Sequence, residues 1–353
     1  MTAWPIYQGT GIPHDRVDHL PPPPNWRLFN GGPPLPPLVQ QDGDVDTSTT
    51  RRLGGSARVR ISYPEEIQMI NAALFLRRPL LVTGRPGTGK STLAYSVAQE
   101  LRLGPVLRWP ITSRSVLQNG LYRYDPIGRL REENLRQLRH RTGVVAERWD
   151  TGDSLAEDIG RHLRLGPLGT ALLPYARPRV LLIDEIDKCD IDLPNDLLNV
   201  FEEGEFEIDE LSRLPREVEV VEVMTADRNG RAPVTRGRIE CQAFPFVVLT
   251  SNGERDFPPA FLRRCLRLDM PQPTADQLTS IIQAHFGAAA AAAAQRQVHE
   301  FLSRRERAEV TTDQLLNAVY LATSGSRHAE GHAAPFDEVV EAVMRPLSET
   351  VTE

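Results

Sequence analysis

The chain has 353 residues, enough for two or three domains with substantial cores. Its formal charge is −6, so it lacks a global basic signature for nucleic acid. Its three cysteines (Cys189, Cys241, Cys265) lie far apart with no metal-type spacing and read as core or surface thiols rather than site residues. The start of the chain has no basic end followed by an apolar core, and no run of about eighteen apolar residues occurs. Neither a secretory signal nor a membrane span is expected, and the odd few thiols predict a reducing, cytoplasmic setting.

Residues 1–55 show little regular patterning. Pro21-Pro22-Pro23-Pro24 and the Gly/Pro-rich run 31–37 favour extended polyproline II backbone. Trp4, Tyr7, Trp26 and Phe29 are interleaved with them, whereas disordered tails are aromatic-poor. The arm reads as a strap laid along the body or a neighbouring subunit; the alternative is a flexible tail with incidental aromatics. Residues 40–55, with Asp and Thr clusters, read as linker. Folding proper begins near Val59, and helical apolar spacing with Pro64 and two acids in the first turn predicts a helix over 64–76.

Next comes Leu80-Leu81-Val82-Thr83, running straight into Gly84-Arg85-Pro86-Gly87-Thr88-Gly89-Lys90-Ser91 and then the helix-forming run from Thr92 to Ala98. Strand, glycine turn and helix are the context that a phosphate-binding P-loop requires. The glycines let backbone N–H groups close on an anion, and the helix N-terminus adds partial positive charge beneath it. Residues Gly84 to Thr92 are therefore the candidate nucleotide-binding set, with Lys90 aimed at the β- and γ-phosphates and Ser91 at Mg²⁺. The chain is expected to bind a nucleoside triphosphate.

A second strand is expected over 105–111, then a polar, turn-rich piece over 121–128. A charged helical run follows, carrying Arg129, Arg131, Arg136, Arg139 and Arg141; Glu132, Glu133 and Glu147 dilute it, favouring a solvated face over a DNA patch. Over 179–187 four consecutive apolar residues predict a strand buried on both faces, ending in Asp184-Glu185. Carboxylates at that end lie where open parallel sheets bind ligands. Asp184 would hold Mg²⁺, directly or through water, and Glu185 would polarise the water attacking the γ-phosphate. Because a strand intervenes between P-loop and acidic pair, the sheet is of the branch that uses a glutamate and an extra central strand.

Residues 192–204 read as a helix with a Gly204 stop, and short strands follow, with a turn at 227–230. The strand over 244–252 ends in Asn252, placed to sense the attacking water or the γ-phosphate, or to serve as a strand-end turn. Arg263 and Arg264 follow it; the pair reads as a finger into a neighbour's nucleotide, or as surface charge. From Pro273 the pattern is helical: 275–286 behind a Thr274 cap, the alanine run 288–294, 312–321 and 336–347. His328 and His332 lie four apart without supporting ligands and read as loop.

In this order, Gly84 to Ser91, Asp184-Glu185, Asn252 and Arg263-Arg264 resemble an AAA+ ATPase over residues 59–350. Leu165-Gly166-Pro167-Leu168-Gly169-Thr170-Ala171-Leu172 and the helix ending at Gly204 resemble the MoxR-like group within it. The resemblance implies an α/β P-loop NTPase with a five-stranded parallel sheet sandwiched by helices. The arm and linker (1–55) lie outside the resemblance, and the rest of the chain divides into a nucleotide-binding domain (56–272) and an α-helical lid (273–353). The resemblance implies ATP and Mg²⁺ as cofactors, Asn252 as sensor 1, and Arg264, rather than Arg263, as the finger acting in trans. It also implies a ring, usually a hexamer, that hydrolyses ATP to remodel a partner protein, often one with a von Willebrand A domain. A nucleotide-gated switch with slow turnover and a DNA-handling motor are the alternatives. One departure is the lid helix starting Thr311-Thr312-Asp313-Gln314, without the arginine such lids carry; Arg327, beyond it, is the candidate substitute.

Overall fold

The computed structural model describes residues 4–36, 47–54, 62–142, 155–305, 310–325 and 342–343. Eleven strands among them form two sheets. They are β1 (Leu80–Thr83), β2 (Leu107–Pro110), β3 (Tyr122–Tyr124), β4 (Leu163–Leu165), β5 (Val180–Asp184), β6 (Glu205–Glu207), β7 (Val220–Met224), β8 (Arg231–Thr235), β9 (Arg238–Glu240), β10 (Phe246–Ser251) and β11 (Leu266–Asp269).

Unbroken apolar runs in β1, β5 and β10 demand cover on both faces, and they receive it. Leu80, Val82, Val180, Leu182, Phe246 and Val248 enter one core, while Leu81, Leu181, Ile183, Val247 and Leu249 enter another. Successive side chains point to opposite faces, so one strand feeds both layers. Each fully buried aliphatic side chain contributes about 1.5–3 kcal/mol. The central sheet has the order β11-β1-β10-β5-β2, all parallel. Strand β10 lies between β1 and β5, the extra central strand that the acidic pair implied. Strand β2, with Pro110 at its end, takes the edge, where a missing N–H costs no ladder bond. The second sheet, in the order β3-β4-β7-β8-β9-β6, shares the core that holds Leu81 and Ile183.

The helix expected over 64–76 forms as Pro64–Leu76, and the helix Asp192–Glu203 stops at Gly204, whose φ is +66°. Two expectations are corrected. The stretch 121–128 is not turn-like: the helix Leu117–Leu121 feeds β3, which pairs with β4, and Pro126 opens a helix to Thr142. Tertiary pairing overrides the local polarity there. Within 40–55, Thr47–Leu53 is a helix, with the Arg52 guanidinium 4.8 Å above the Tyr95 ring. Of the arginine run, Arg129 is paired with Asp158 at 2.8 Å, and the side chains from Arg136 on lie outside the described residues. So do Glu147, Arg327, His328 and His332, and most of 336–347.

Four helices, Ala275–Phe286, Ala288–Ala293, Gln295–Arg305 and Thr312–Gly325, carry a core of their own around Leu278, Phe301 and Leu315. Thr274 caps the first, its hydroxyl accepting from Gln277 N while the Gln277 side chain accepts from Thr274 N. The three cysteines are buried and free; burial pushes Cys189 up to about 11 and Cys241 and Cys265 to about 12.

Residues 4–36 run along the body of their own chain. Ile6, Tyr7 and Val17 enter the core beneath the P-loop helix, and the Asn71 side chain accepts from Ile6 N and Tyr7 N and donates to Tyr7 O. The fully buried Glu100 accepts from Gln8 N, Gly9 N and Gly11 N at 2.6–3.0 Å. Further on, Arg27 stands over the Phe244 ring, and at Gly31 a Cβ would sit 1.7 Å from the Glu240 carbonyl oxygen, so only glycine fits. Glu100→Ala strands three part-buried N–H groups and is expected to cost about 1–3 kcal/mol. Limited trypsinolysis should then cut at Arg16 well before the body; a parent-like digest would show that Glu100 does not anchor the arm.

Candidate functional site

The P-loop leaves β1 at Thr83 and enters the helix Lys90–Glu100, whose N-cap, Gly89, has φ +87°. Gly87 has φ +76°, and a Cβ there would meet Thr312 N of the lid at 2.9 Å. The Thr312 hydroxyl donates to the Gly87 carbonyl at 2.7 Å, so the lid rests on the loop. Lys90 Nζ donates to the carbonyls of Gly84 (2.7 Å) and Arg85 (2.9 Å), and Thr88 Oγ1 also donates to Arg85 O. The Arg85 and Pro86 side chains face solvent. Burial lowers the Lys90 ammonium, against the pull of Asp187, Asp184 and Glu185.

Asp184 ends β5 with a nearly buried side chain that receives four hydrogen bonds. Ser91 Oγ (2.6 Å) and Thr250 Oγ1 (2.9 Å) donate to Oδ1, and Arg108 donates to Oδ2 through Nε (3.1 Å) and Nη2 (2.7 Å). Burial opposes its ionisation, but Ser91, Arg108 and Thr250 outweigh that and hold the carboxyl below its usual range. Glu185 turns away with φ +63°, a left-handed conformation uncommon outside glycine, and its N–H donates to Thr250 Oγ1. Its half-exposed carboxylate pairs with Lys188 at 2.8 Å.

Asp187 ties this corner to the end of β10, its Oδ2 accepting from Asn252 N (2.8 Å) and Glu254 N (3.2 Å). Its Oδ1 is buried without a hydrogen-bond partner. The Asn252 side chain reaches Glu254 at 3.5 Å.

A cleft of about 450 Å³ brings these groups together, within the range of small-ligand sites. Gly87 to Thr92, Asp184, Glu185 and Asn252 line it; the arm contributes Tyr7, Gly9 and Gly11, and the lid Gln277, His285 and Thr312. Arg263 and Arg264 do not line it. They end the helix Pro259–Arg264, where Arg264 Nε pairs with Glu202 Oε2 at 3.3 Å and Arg263 donates to the Pro259 carbonyl.

Four residues near the site were not singled out from sequence: Arg108, Thr250, Asp187 and Thr312. Arg108 and Thr250 had a signal, a polar side chain inside an otherwise apolar strand. Asp187 and Thr312 had none, because their partners are 65 and 225 residues away in the chain.

The residues fit a metal–nucleotide group. The glycine-rich loop and the Lys90 ammonium line the cleft and are the donor types that phosphate needs, and a hydroxyl beside a carboxylate is a hard oxygen pair of the kind that binds Mg²⁺ together with phosphate oxygens. Parallel sheet, P-loop and acidic strand end define a P-loop NTPase. The profile of the AAA domain family, dynein-related subfamily, matches residues 79–265, more than half of the chain, and the chain belongs to that family. It is an ATPase of the AAA+ class. No curated protein matches it. No helix among the described residues is long and apolar enough to cross a membrane.

Proposed function

We propose that this chain is a MoxR-like AAA+ ATPase that assembles into a ring, with six copies as the expected number, and spends ATP on remodelling or activating a partner protein. ATP with Mg²⁺ occupies the cleft, its phosphates cradled by Gly84 to Thr92. Ser91 and Asp184 hold the metal, Glu185 activates water, and Asn252 orients water or γ-phosphate. The observation that carries the ring is the position of Arg264. It is half-exposed on a helix end, held by one surface ion pair and the Ala260 carbonyl of its own helix, and absent from the lining of its own cleft. Such an arginine suits the nucleotide of an adjoining copy, where it would offset charge developing in the transition state. On this reading the partner is a von Willebrand A-domain protein and acts in the cytoplasm.

Complementation tests it. Lys90→Ala removes the phosphate grip and Arg264→Ala the finger, so each alone should be inactive. Mixed, they should recover ATPase activity, because a subunit with an intact cleft then meets a neighbour with an intact finger. Failure to recover, or a rate per subunit that stays flat across the assembly range, would overturn the trans arrangement. The Glu185–Lys188 pair favours a second reading, a nucleotide-gated switch whose turnover is slow because its base is engaged. Glu185→Gln separates the two: a remodeller loses its output, a switch keeps signalling.

A further inference from the structure

Arg108 is placed where a metal-site carboxylate has to change partners. A carboxylate offers about four lone-pair positions, and all four on Asp184 are taken. Ser91 and Thr250 fill Oδ1, and both bonds to Oδ2 come from the one guanidinium of Arg108. The two hydroxyls need not move for a metal to enter, since each keeps a lone pair after donating its proton. Arg108 competes with it: a divalent cation taken directly on Oδ2 would sit at contact distance from the guanidinium, where their like charges repel.

Its surroundings permit it to withdraw. Arg108 lies on the edge strand β2, lines the nucleotide cleft, and has a side chain 42% exposed while that of Asp184 is 7% exposed. The buried partner is therefore the fixed one and the guanidinium the one able to withdraw. Removing Arg108 would leave a buried carboxylate without its cation, which is strongly unfavourable. Arg108 thus neutralises Asp184 until something else does.

We propose that Arg108 is the resident counter-ion of the metal site. It occupies Asp184 Oδ2 whenever no divalent cation is there, and gives up that oxygen to the cation that enters with the nucleotide. Arg108 is then a positioning residue that sets how much Mg²⁺ is needed to load the site. The proposal rests on the reading of this cleft as a metal–nucleotide site.

The test is Mg²⁺ titration of fluorescent ADP binding, which needs no hydrolysis, in the parent, Arg108→Ala and Arg108→Gln. With the competing cation gone, half-saturating Mg²⁺ should fall about fivefold in both variants, the scale set by a half-exposed charge pair. Arg108→Lys should lie between them and the parent. Two variants that remove charge differently guard against one failing to fold, and thermal melts verify folding. If the melting temperature drops while the Mg²⁺ midpoint stays at the parent's value, Arg108 is structural and the proposal is wrong. A midpoint that rises is equally fatal to it. If the parent binds no ADP at any Mg²⁺ concentration, the nucleotide-site reading falls and takes the proposal with it, an outcome distinct from an unmoved midpoint.

Discussion

Glu185→Gln is expected to leave ATP binding at the parent's level and to slow turnover by about 10²–10⁴, the range for losing a positioned general base. The geometry explains why one atom type matters so much. Glu185 follows the buried end of β5, its backbone turned to φ +63° and its N–H held by Thr250, so the residue lines the cleft while its carboxylate is held by Lys188. Glutamine has the same shape but cannot take a proton from water. Single-turnover hydrolysis with radiolabelled ATP, alongside equilibrium binding, checks both halves. Parent-like turnover would remove Glu185 from the chemistry, whereas lost binding would mean that the variant disturbs the loop rather than the base. The bond from Lys188 should also weaken, since a charged acceptor becomes neutral.

Asp227→Ala is expected to destabilise the folded chain by about 3–5 kcal/mol, as for breaking a buried ion pair from one side. Asp227 lies in the turn between β7 and β8 and accepts two bonds, at 2.9 and 2.8 Å, from the guanidinium of Arg179 just before β5. The Arg179 side chain is 2% exposed, rests over the Tyr175 ring, and donates once more to the Pro105 carbonyl. Burial works against its charge, and Asp227 more than compensates, raising its proton affinity above the ordinary value. Without Asp227 the cation is left in the core with no way to neutralise itself near pH 7. The pair joins the second sheet to the base of the acidic strand, so the loss should appear as one cooperative shift in urea unfolding. A double replacement, Arg179→Met with Asp227→Leu, should recover most of it, because desolvation of both charges disappears together. A single-variant loss below about 1 kcal/mol would show that the site relaxes or admits water.

The features legible in the chain before folding are local or periodic. The P-loop was legible because phosphate binding needs glycines, a lysine and a hydroxyl at short fixed spacings, all within Gly84 to Ser91. The central strands were legible because burial on both faces forces uninterrupted apolar runs, and Asp184-Glu185 stood out by ending one. Helices at 64–76, 192–203 and 275–286 announced themselves through apolar spacing and caps. Packing settled which distant residues complete the site. Arg108 meets Asp184 across 76 residues because β2 lies beside β5, and Asp187 meets Asn252 because β10 lies on the other side. It also decided that the proline-rich arm runs over its own body, through a buried glutamate 89–92 residues further along the chain. Strand order and long-range charge pairing leave no imprint in a short window of sequence, since their free energy comes from contacts that exist only once the layers have packed.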